Sequence, residues 1–600
     1  MKVLSNYIKP VVLQFILKFY TEIVHFSSSG LEGNTKLLAK VLKKHKKICG
    51  GNKVNWQHSA KPPRPIPIPP LEKKTTVRGL LSSRRREYGP KTFLIDPEKD
   101  RQYSYAEFLR TASKVSNLLW QQGVRKEDKV SLLMPNSAEF LFAFFGIMQL
   151  GAIACPINTH LKEEEIAFVL HNSDSIALFA SGEYFDVSTS LLTGENNIRR
   201  LLTWDPPAGS LTGTSPLVKL LDMKTALQGE PPELRPEIEE SPLEPDDVAE
   251  IIYTSGTTGR PKGAMLTHHN MIIDSHWIAH WNRLGENDRA MCVMPLFHVN
   301  GQIVTVMTPL YCGGSLVLPG RFSVTQFFPL VAKYEAAYVG TVATMLSMLL
   351  NRVDPGDIPA GHKLRIVFCG SAPVPVRVQS EFEETFKVPV IEGYGMTETT
   401  CRSTFNPLPP PEALQLGKSD GYRKIGSAGL PLGNEIRVVN ENEQPLGPRE
   451  VGEIVIRGEN VMKGYYKNPE ATAEAFRGGW FHSGDLGYYD EEGYFYIVDR
   501  KKDMIIRGGE NIYPREIEEA LYKHPAVKDA ACIGIPDELY GEEVAVFVVL
   551  KDNEQAGEAE MISFCRQFLA DFKCPKQIKI VEEIPKSSSG KLLRRKLRES

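Results

Sequence analysis

The 600-residue chain lacks most of the features that settle a protein's class at a glance. Its nine cysteines stand singly, at 49, 155, 292, 312, 369, 401, 532, 565 and 574, with no Cys-x-x-Cys pair and no histidine at ligand spacing. That pattern excludes a disulfide framework and a zinc ribbon, and reduced, mostly buried thiols in a cytoplasmic chain are expected. Cys369, beside Gly370, is expected to pack at the end of an apolar strand rather than to act as a nucleophile. Runs of spanning length are also wanting. The apolar stretch in the first 26 residues is broken by Lys9, Pro10, Gln14, Lys18 and Glu22, and no small-residue cleavage site follows it. Charge of one sign is not in excess: 71 Lys and Arg face 73 Asp and Glu, which argues against a body built for nucleic acid. No internal repeat is present, so a solenoid is excluded.

What is present is uneven. Residues 1–64 hold twelve Lys and Arg against two Asp and Glu, a local balance of +10 that leaves -12 for the rest. An amphipathic helix followed by Lys43-Lys44-His45-Lys46-Lys47 leaves two readings of residues 1–60 open. One is a peripheral contact with a membrane surface or a protein partner; the other is a helix packed on the body with a solvated charged face. The proline-dense segment Lys61–Pro70 reads as an extended spacer. Residues 1–74 are therefore expected to be an extension outside the catalytic body.

From residue 75 the chain alternates helical and strand patterns: helix Tyr105–Gln122, strand Lys129–Met134, helix Ala138–Leu150, strand Ala152–Pro156. This is the rhythm of α/β units with parallel strands. The polar, Pro- and Gly-rich stretch Asp205–Asp246 reads as a surface connection between subdomains. Short alternating strands, Glu453–Arg457 and Tyr494–Val498, make residues 421–500 a β-rich piece. After Arg500 the pattern becomes α+β: helix Pro514–His524, strands Val527–Ile533 and Glu543–Leu550, helix Glu558–Ala570, strand Gln577–Val581. The fold class is α/β, with residues 75–499 as a large N-terminal domain and 500–600 as a small C-terminal one.

Three stretches carry chemistry. The apolar strand Val248–Tyr253 runs into Thr254-Ser255-Gly256-Thr257-Thr258-Gly259-Arg260-Pro261-Lys262-Gly263. Its glycines admit backbone N–H groups to phosphate oxygens, its hydroxyls add donors, and Lys262 adds mobile charge. A Walker A loop needs Gly-Lys-Ser/Thr opening a helix, whereas Lys262 here lies between Pro261 and Gly263. Gly393-Tyr394-Gly395-Met396-Thr397-Glu398-Thr399 offers an aromatic face for a base, a hydroxyl for a phosphate and a carboxylate for Mg²⁺. Trp480-Phe481-His482-Ser483-Gly484-Asp485-Leu486-Gly487 presents a carboxylate in a glycine-flanked turn, suited to a vicinal diol.

In order and spacing, residues 75–600 resemble the acyl-adenylate-forming superfamily, and within it the acyl-CoA synthetases. The resemblance implies a mobile C-terminal domain and a reaction of a carboxylic acid with ATP through an acyl-AMP, Mg²⁺ being the cofactor. CoA would be the final acceptor and the substrate a carboxylic acid, expected to be a fatty acid; small Gly and Thr in the pocket fit a medium or branched acid. A ligase loading a carrier-protein phosphopantetheine is the alternative. It further implies nucleotide contacts at Thr254, Ser255, Gly256, Thr257, Thr258, Gly259, Lys262, the turn Gly370-Ser371-Ala372, Tyr394, Thr397, Asp485 and Arg500. Glu398 would hold the metal, and Lys591, in Gly590-Lys591, would bridge carboxylate and α-phosphate oxygens in the first transition state. Lys502 matches the hinge, and Gly508 and Gly509 would leave room for the pantetheine arm of CoA after rotation. His298 would gate the carboxylate, so Lys591, Thr397, Glu398 and His298 form the expected catalytic set. The acyl pocket would be Asn300, Gln302, Gly340, Thr341, Val342, Gly395 and Met396. Asn300 and Gln302 depart from the apolar residues common in aryl and fatty-acid ligases.

Overall fold

The computed structural model describes residues 68–192, 196–207, 218–254, 261–409, 423–587 and 592–598. The readings of residues 1–60, the loop residues Ser255 to Gly259, Cys49 and Lys591 all lie outside the described residues.

Two large sheets form the body. One has eight strands in the order 464–465, 262–267, 248–254, 153–156, 129–133, 177–181, 200–204, 219–222. The other has nine, in the order 430–431, 404–405, 390–394, 366–369, 338–341, 289–291, 315–317, 92–96, 101–104. Their centres are parallel, as the alternation of helix and strand predicts. The helix Ala138–Leu150 shows how local sequence sets an element. Ser137 caps it by accepting from the Phe140 N–H, Gly151 ends it at φ 84°, and the apolar residues between are buried against the helix Tyr105–Gln121. A capping box at Ser104 and Glu107 opens that second helix.

The stretch 421–500 forms a four-stranded antiparallel sheet, 435–439, 452–457, 481–489 and 495–500. A further sheet combines 510–512, 505–507, 541–550 and 527–537, with 577–580 beside 541–550. Helices Pro514–Tyr522 and Glu558–Cys565 accompany it.

One expectation needs correction. The stretch Asp205–Asp246 is more than a connection, because Lys219–Asp222 pairs in parallel with Arg200–Trp204 as the edge of the eight-stranded sheet. An edge strand with one side open carries too little apolar signal to stand out among polar neighbours. The described cysteines are all free and, apart from Cys312, buried; burial pushes the Cys369 thiol up to about 12, which leaves it unreactive. Among the described residues no helix is long and apolar enough to cross a membrane.

Candidate active site

The expected phosphate loop is flanked by two paired strands. Val248–Thr254 and Lys262–Thr267 pair antiparallel, with Thr254 opposite Lys262. Glu398 reaches this strand pair from the turn Thr397–Thr399: Thr254 Oγ1 donates to Glu398 Oε1 at 3.4 Å, and Tyr465 Oη donates to the same oxygen at 2.9 Å. Lys262 Nζ lies 5.2 Å from the centre of the Tyr465 ring. Tyr465 was not among the expected site residues; it arrives because Gly464–Tyr465 pairs with Ala264 and Met265, a tertiary contact that no local pattern announces.

A second constellation forms where the four-stranded sheet meets the nine-stranded one. Tyr394 ends the strand Val390–Tyr394, and its Oη donates to Asp485 Oδ2 at 2.8 Å. Asp485 and Arg500 face each other across neighbouring strands, with Arg500 Nε 3.5 Å from Asp485 Oδ1. Ser371, in the turn after the strand Ile366–Cys369, adopts φ 70°, a left-handed conformation rare for a residue with a side chain. The turn is anchored from behind by Glu392, which accepts from the Val374 N–H at 3.2 Å and which burial raises to about 7.

Beside Tyr394, the neighbouring strands form a shelf made of glycine. Tyr338, Phe368 and Ile391 pack into one core cluster, whereas Val339, Val367, Cys369 and Val390 pack into another. Because side chains alternate along a strand, Gly340, Gly370 and Gly393 fall on the Tyr338 face of three adjacent strands. Over Gly340 stands Asn300, on the π-helix Asn300–Met307; a Cβ at residue 340 would come 3.1 Å from Asn300 Oδ1. Asn300 is 3% exposed, and neither amide atom has a partner. Over Gly370 lies the guanidinium of Arg402, whose Nη1 would be 2.0 Å from a Cβ added there.

Gln302 sits deeper than expected. Its Nε2 donates to Glu250 Oε1 at 2.6 Å and to the Leu296 carbonyl at 2.8 Å. Glu250, on the strand that leads to the expected phosphate loop, is fully buried, and desolvation raises its carboxyl to about 8. The sequence did carry a signal for Glu250, an acidic residue inside an otherwise apolar strand. Thr341 is a correction: it lies on the opposite face from Gly340 and its hydroxyl donates to the Phe368 carbonyl at 2.9 Å, so Gly340 alone of that pair faces Asn300. Val342 is buried at the cap of the helix Ala343–Arg352. Gly395 admits no side chain, since a Cβ would lie 2.0 Å from the Cys401 carbonyl oxygen. Met396 and Val299 each pack against the core cluster that contains Ile252, and the ring of His298 lies 4.7 Å from that of Phe297, tilted by 55°.

At the C-terminal end, Lys502 occupies an exposed turn between Arg500 and Ile505. Gly508 and Gly509, at φ 59° and 89°, form the two-residue loop of a hairpin with Arg507 opposite Glu510; backbone geometry alone demands glycine there. Arg594 joins this region to the C-terminal helix, donating to Glu518 Oε1 at 2.7 Å and standing 4.0 Å from Asp499 and 3.8 Å from Asp503.

Residues 81–466 match the AMP-binding enzyme family, and residues 516–591 match the AMP-binding enzyme C-terminal domain. The sulfoacetate–CoA ligase of Cupriavidus necator is 36% identical over 524 residues, covering 87% of this chain and 97% of the relative. The oxalate–CoA ligase of Arabidopsis thaliana is 37% identical over 484 residues, 80% of this chain and 90% of the relative. Among solved structures, the anthranilate CoA ligase AuaEII in complex with anthranoyl-AMP superposes with a TM-score of 0.79 at 27% identity, covering 88% of this chain and 98% of that one.

Proposed function

The chain belongs to the AMP-binding enzyme family as an acid–thiol ligase of the CoA ligase branch, and from that premise we propose how its residues divide the work and which class of acid it takes. ATP and CoA are its co-substrates. The carboxylate attacks the α-phosphorus of ATP to give acyl-AMP and pyrophosphate; the CoA thiol then attacks the acyl carbon and AMP leaves.

The observation that supports the assignment is that one short stretch, Tyr394 to Glu398, joins the Thr254–Glu398–Tyr465 group to the Tyr394–Asp485–Arg500 group. The loop from Thr254 to Gly263 holds the departing pyrophosphate, with Lys262 beside it. Asp485 accepts from the ribose hydroxyls, Tyr394 covers the base together with the turn Gly370-Ser371-Ala372, and Thr397 donates to the α-phosphate. Arg500 reaches the ribose and phosphate. A single carboxylate flanked by hydroxyls suits Mg²⁺, which keeps waters and takes substrate phosphate oxygens as further ligands; Glu398 would hold it, and bound there it supplies positive charge against the phosphates. Lys591 stabilises the charge that builds between carboxylate and phosphate. Residues 75–499 form the N-terminal domain and 500–600 a C-terminal domain that turns about Lys502, bringing Gly508 and Gly509 toward the acyl-AMP.

The acid is short and polar. An alkyl chain laid over Asn300 would leave a buried amide unpaired at a cost of about 1–3 kcal/mol, which disfavours the fatty acid expected from sequence. Likeness to ligases named for sulfoacetate and oxalate supports the same reading. Pyrophosphate release and thioester formation, measured together on a panel of short acids with free CoA, test it. Thioester with polar acids is the expected outcome. Fatty acids turned over faster would overturn the acid class, and pyrophosphate without thioester would point to a carrier-protein acceptor.

A further inference from the structure

Arg402 is the largest fully buried side chain among the described residues. A buried guanidinium normally spends its five N–H donors on carboxylates or carbonyls. Here Nη1 donates to the Gly393 carbonyl at 3.1 Å, while Nε and Nη2 have no partner. None of the ion pairs among the described residues includes Arg402, and its nearest relief is the Phe405 ring, 5.2 Å from Cζ. Two buried carboxyls stand in the vicinity. Asp274 accepts from the Arg402 backbone N–H, and burial drives its own carboxyl well above the usual range; Glu392 is raised as well. Neither supplies a full counter-charge. Leaving charged donors unmade in a dry interior is among the more expensive arrangements a fold can hold.

The position explains why the cost is tolerated. The guanidinium lies over Gly370, where any Cβ would collide with it, and its aliphatic stem passes 3.4 Å from the Cβ position of Gly393. Both glycines belong to the shelf in which Gly340 lies under the unpaired amide of Asn300. Neighbouring strands are about 4.8 Å apart, so the amide and the guanidinium stand over one shelf within about 5–10 Å. That span matches the length of an acid of a few carbons.

We propose that Arg402 is a specificity-determining residue, the receptor for a second anionic group at the far end of the acid, so that the enzyme selects short carboxylic acids ending in a carboxylate or a sulfonate. The two free donors, Nε and Nη2, lie along one edge of the guanidinium, the fork that engages two oxygens of one anion. This deepens the acid class proposed above and rests on the chain being an acid-activating ligase.

The experiment is a set of matched acids differing at the distal end: sulfoacetate, malonate and succinate against propanoate and butanoate. Values of kcat/KM come from pyrophosphate release in the wild type, Arg402→Met and Arg402→Lys. The wild type is expected to favour at least one anion-ended acid over its methyl-ended match by about 100-fold or more, as a site built around a buried charge should. Arg402→Met is expected to collapse that ratio to within about threefold or reverse it. Arg402→Lys keeps the charge and loses the fork, so its KM for the anion-ended acid should rise while kcat changes less. A wild type that activates methyl-ended acids equally well overturns the proposal, as does an Arg402→Met enzyme that keeps the preference. Should the Met variant fail to fold, an unchanged KM in the Lys variant overturns it alone. Turnover without discrimination removes only the role of Arg402, whereas no pyrophosphate from any acid removes the ligase reading of the site itself.

Discussion

The nucleotide side and the acyl side of the proposed site differ in how their polar groups are satisfied. On the nucleotide side Tyr394 is paired with Asp485, Asp485 with Arg500, and Thr254 and Tyr465 with Glu398. On the acyl side Asn300 has two unpaired atoms, Arg402 two, and Glu250 and Gln302 one each. Groups that serve ATP in every turnover can be held ready by one another, since the ligand only exchanges one set of partners for another. On the proposed assignment the groups that serve the acid are left for the acid to complete, and an unpaired buried polar atom is what makes a wrong acid costly. Preorganisation and discrimination would then fall to two different sets of residues.

The comparison breaks most sharply if substitutions on the two sides have the same signature. Lys591→Ala should lower acyl-AMP formation by about 10²–10³-fold, the scale of a lost transition-state donor, and by the same factor for every acid. Thioester formation from supplied acyl-AMP should survive, as a stopped-flow or product assay with synthetic adenylate would read. Equal loss in both half-reactions would remove Lys591 from its role. Asp485→Ala comes next. Losing a charged acceptor for two hydroxyls costs about 1.5–3 kcal/mol, so KM for ATP should rise about 10- to 100-fold, again regardless of acid; a change in acid preference would contradict the division.

How much of this was legible in the sequence follows the same line. The proposed phosphate and ribose contacts are contiguous, because glycines, hydroxyls and charges must share one turn, so Thr254 to Gly263, Gly393 to Thr399 and Trp480 to Gly487 stand out in the sequence as candidates. The parallel α/β body was readable too, through elements such as Ala138–Leu150 whose caps and burial agree with their pattern. The acyl side was not. Glu250 lies in an apolar strand and Arg402 just past the nucleotide motif, and what makes them matter is their meeting with Gln302 and with Gly370, which only the folded chain supplies. Asn300 and Gln302 were singled out as departures, yet their distinct roles, one open and one locked to Glu250, depend on which side of the π-helix each takes.

Asn300→Leu sharpens the acyl half of the comparison. Leucine fills a similar volume and removes the unpaired amide, so the preference for polar acids should fall by about tenfold, the worth of one hydrogen bond to a buried neutral group, and KM for ATP should stay as it is. A matched shift in the ATP constant would show that the two halves are not separable at this residue.

The smallest expected effect concerns stability. The Glu250 carboxyl is raised by burial to about 8, against an ordinary value of 4.5. Between those two pH values the unfolded chain has released the proton and the native chain still holds it, so native stability falls as pH rises through the window. Above about 8 both forms are ionised and the penalty is constant. Glu250→Gln keeps an oxygen that can accept from Gln302 Nε2 and removes the titration. Its melting temperature relative to the wild type should therefore climb from pH 5 to pH 8 and then level off, in thermal denaturation at fixed ionic strength. A difference that is flat across that range would mean Glu250 is ionised in the native protein, with Gln302 and an unseen donor holding its charge. The acyl side would then contain a counter-charge of its own, and its contrast with the paired Tyr394, Asp485 and Glu398 of the nucleotide side would weaken.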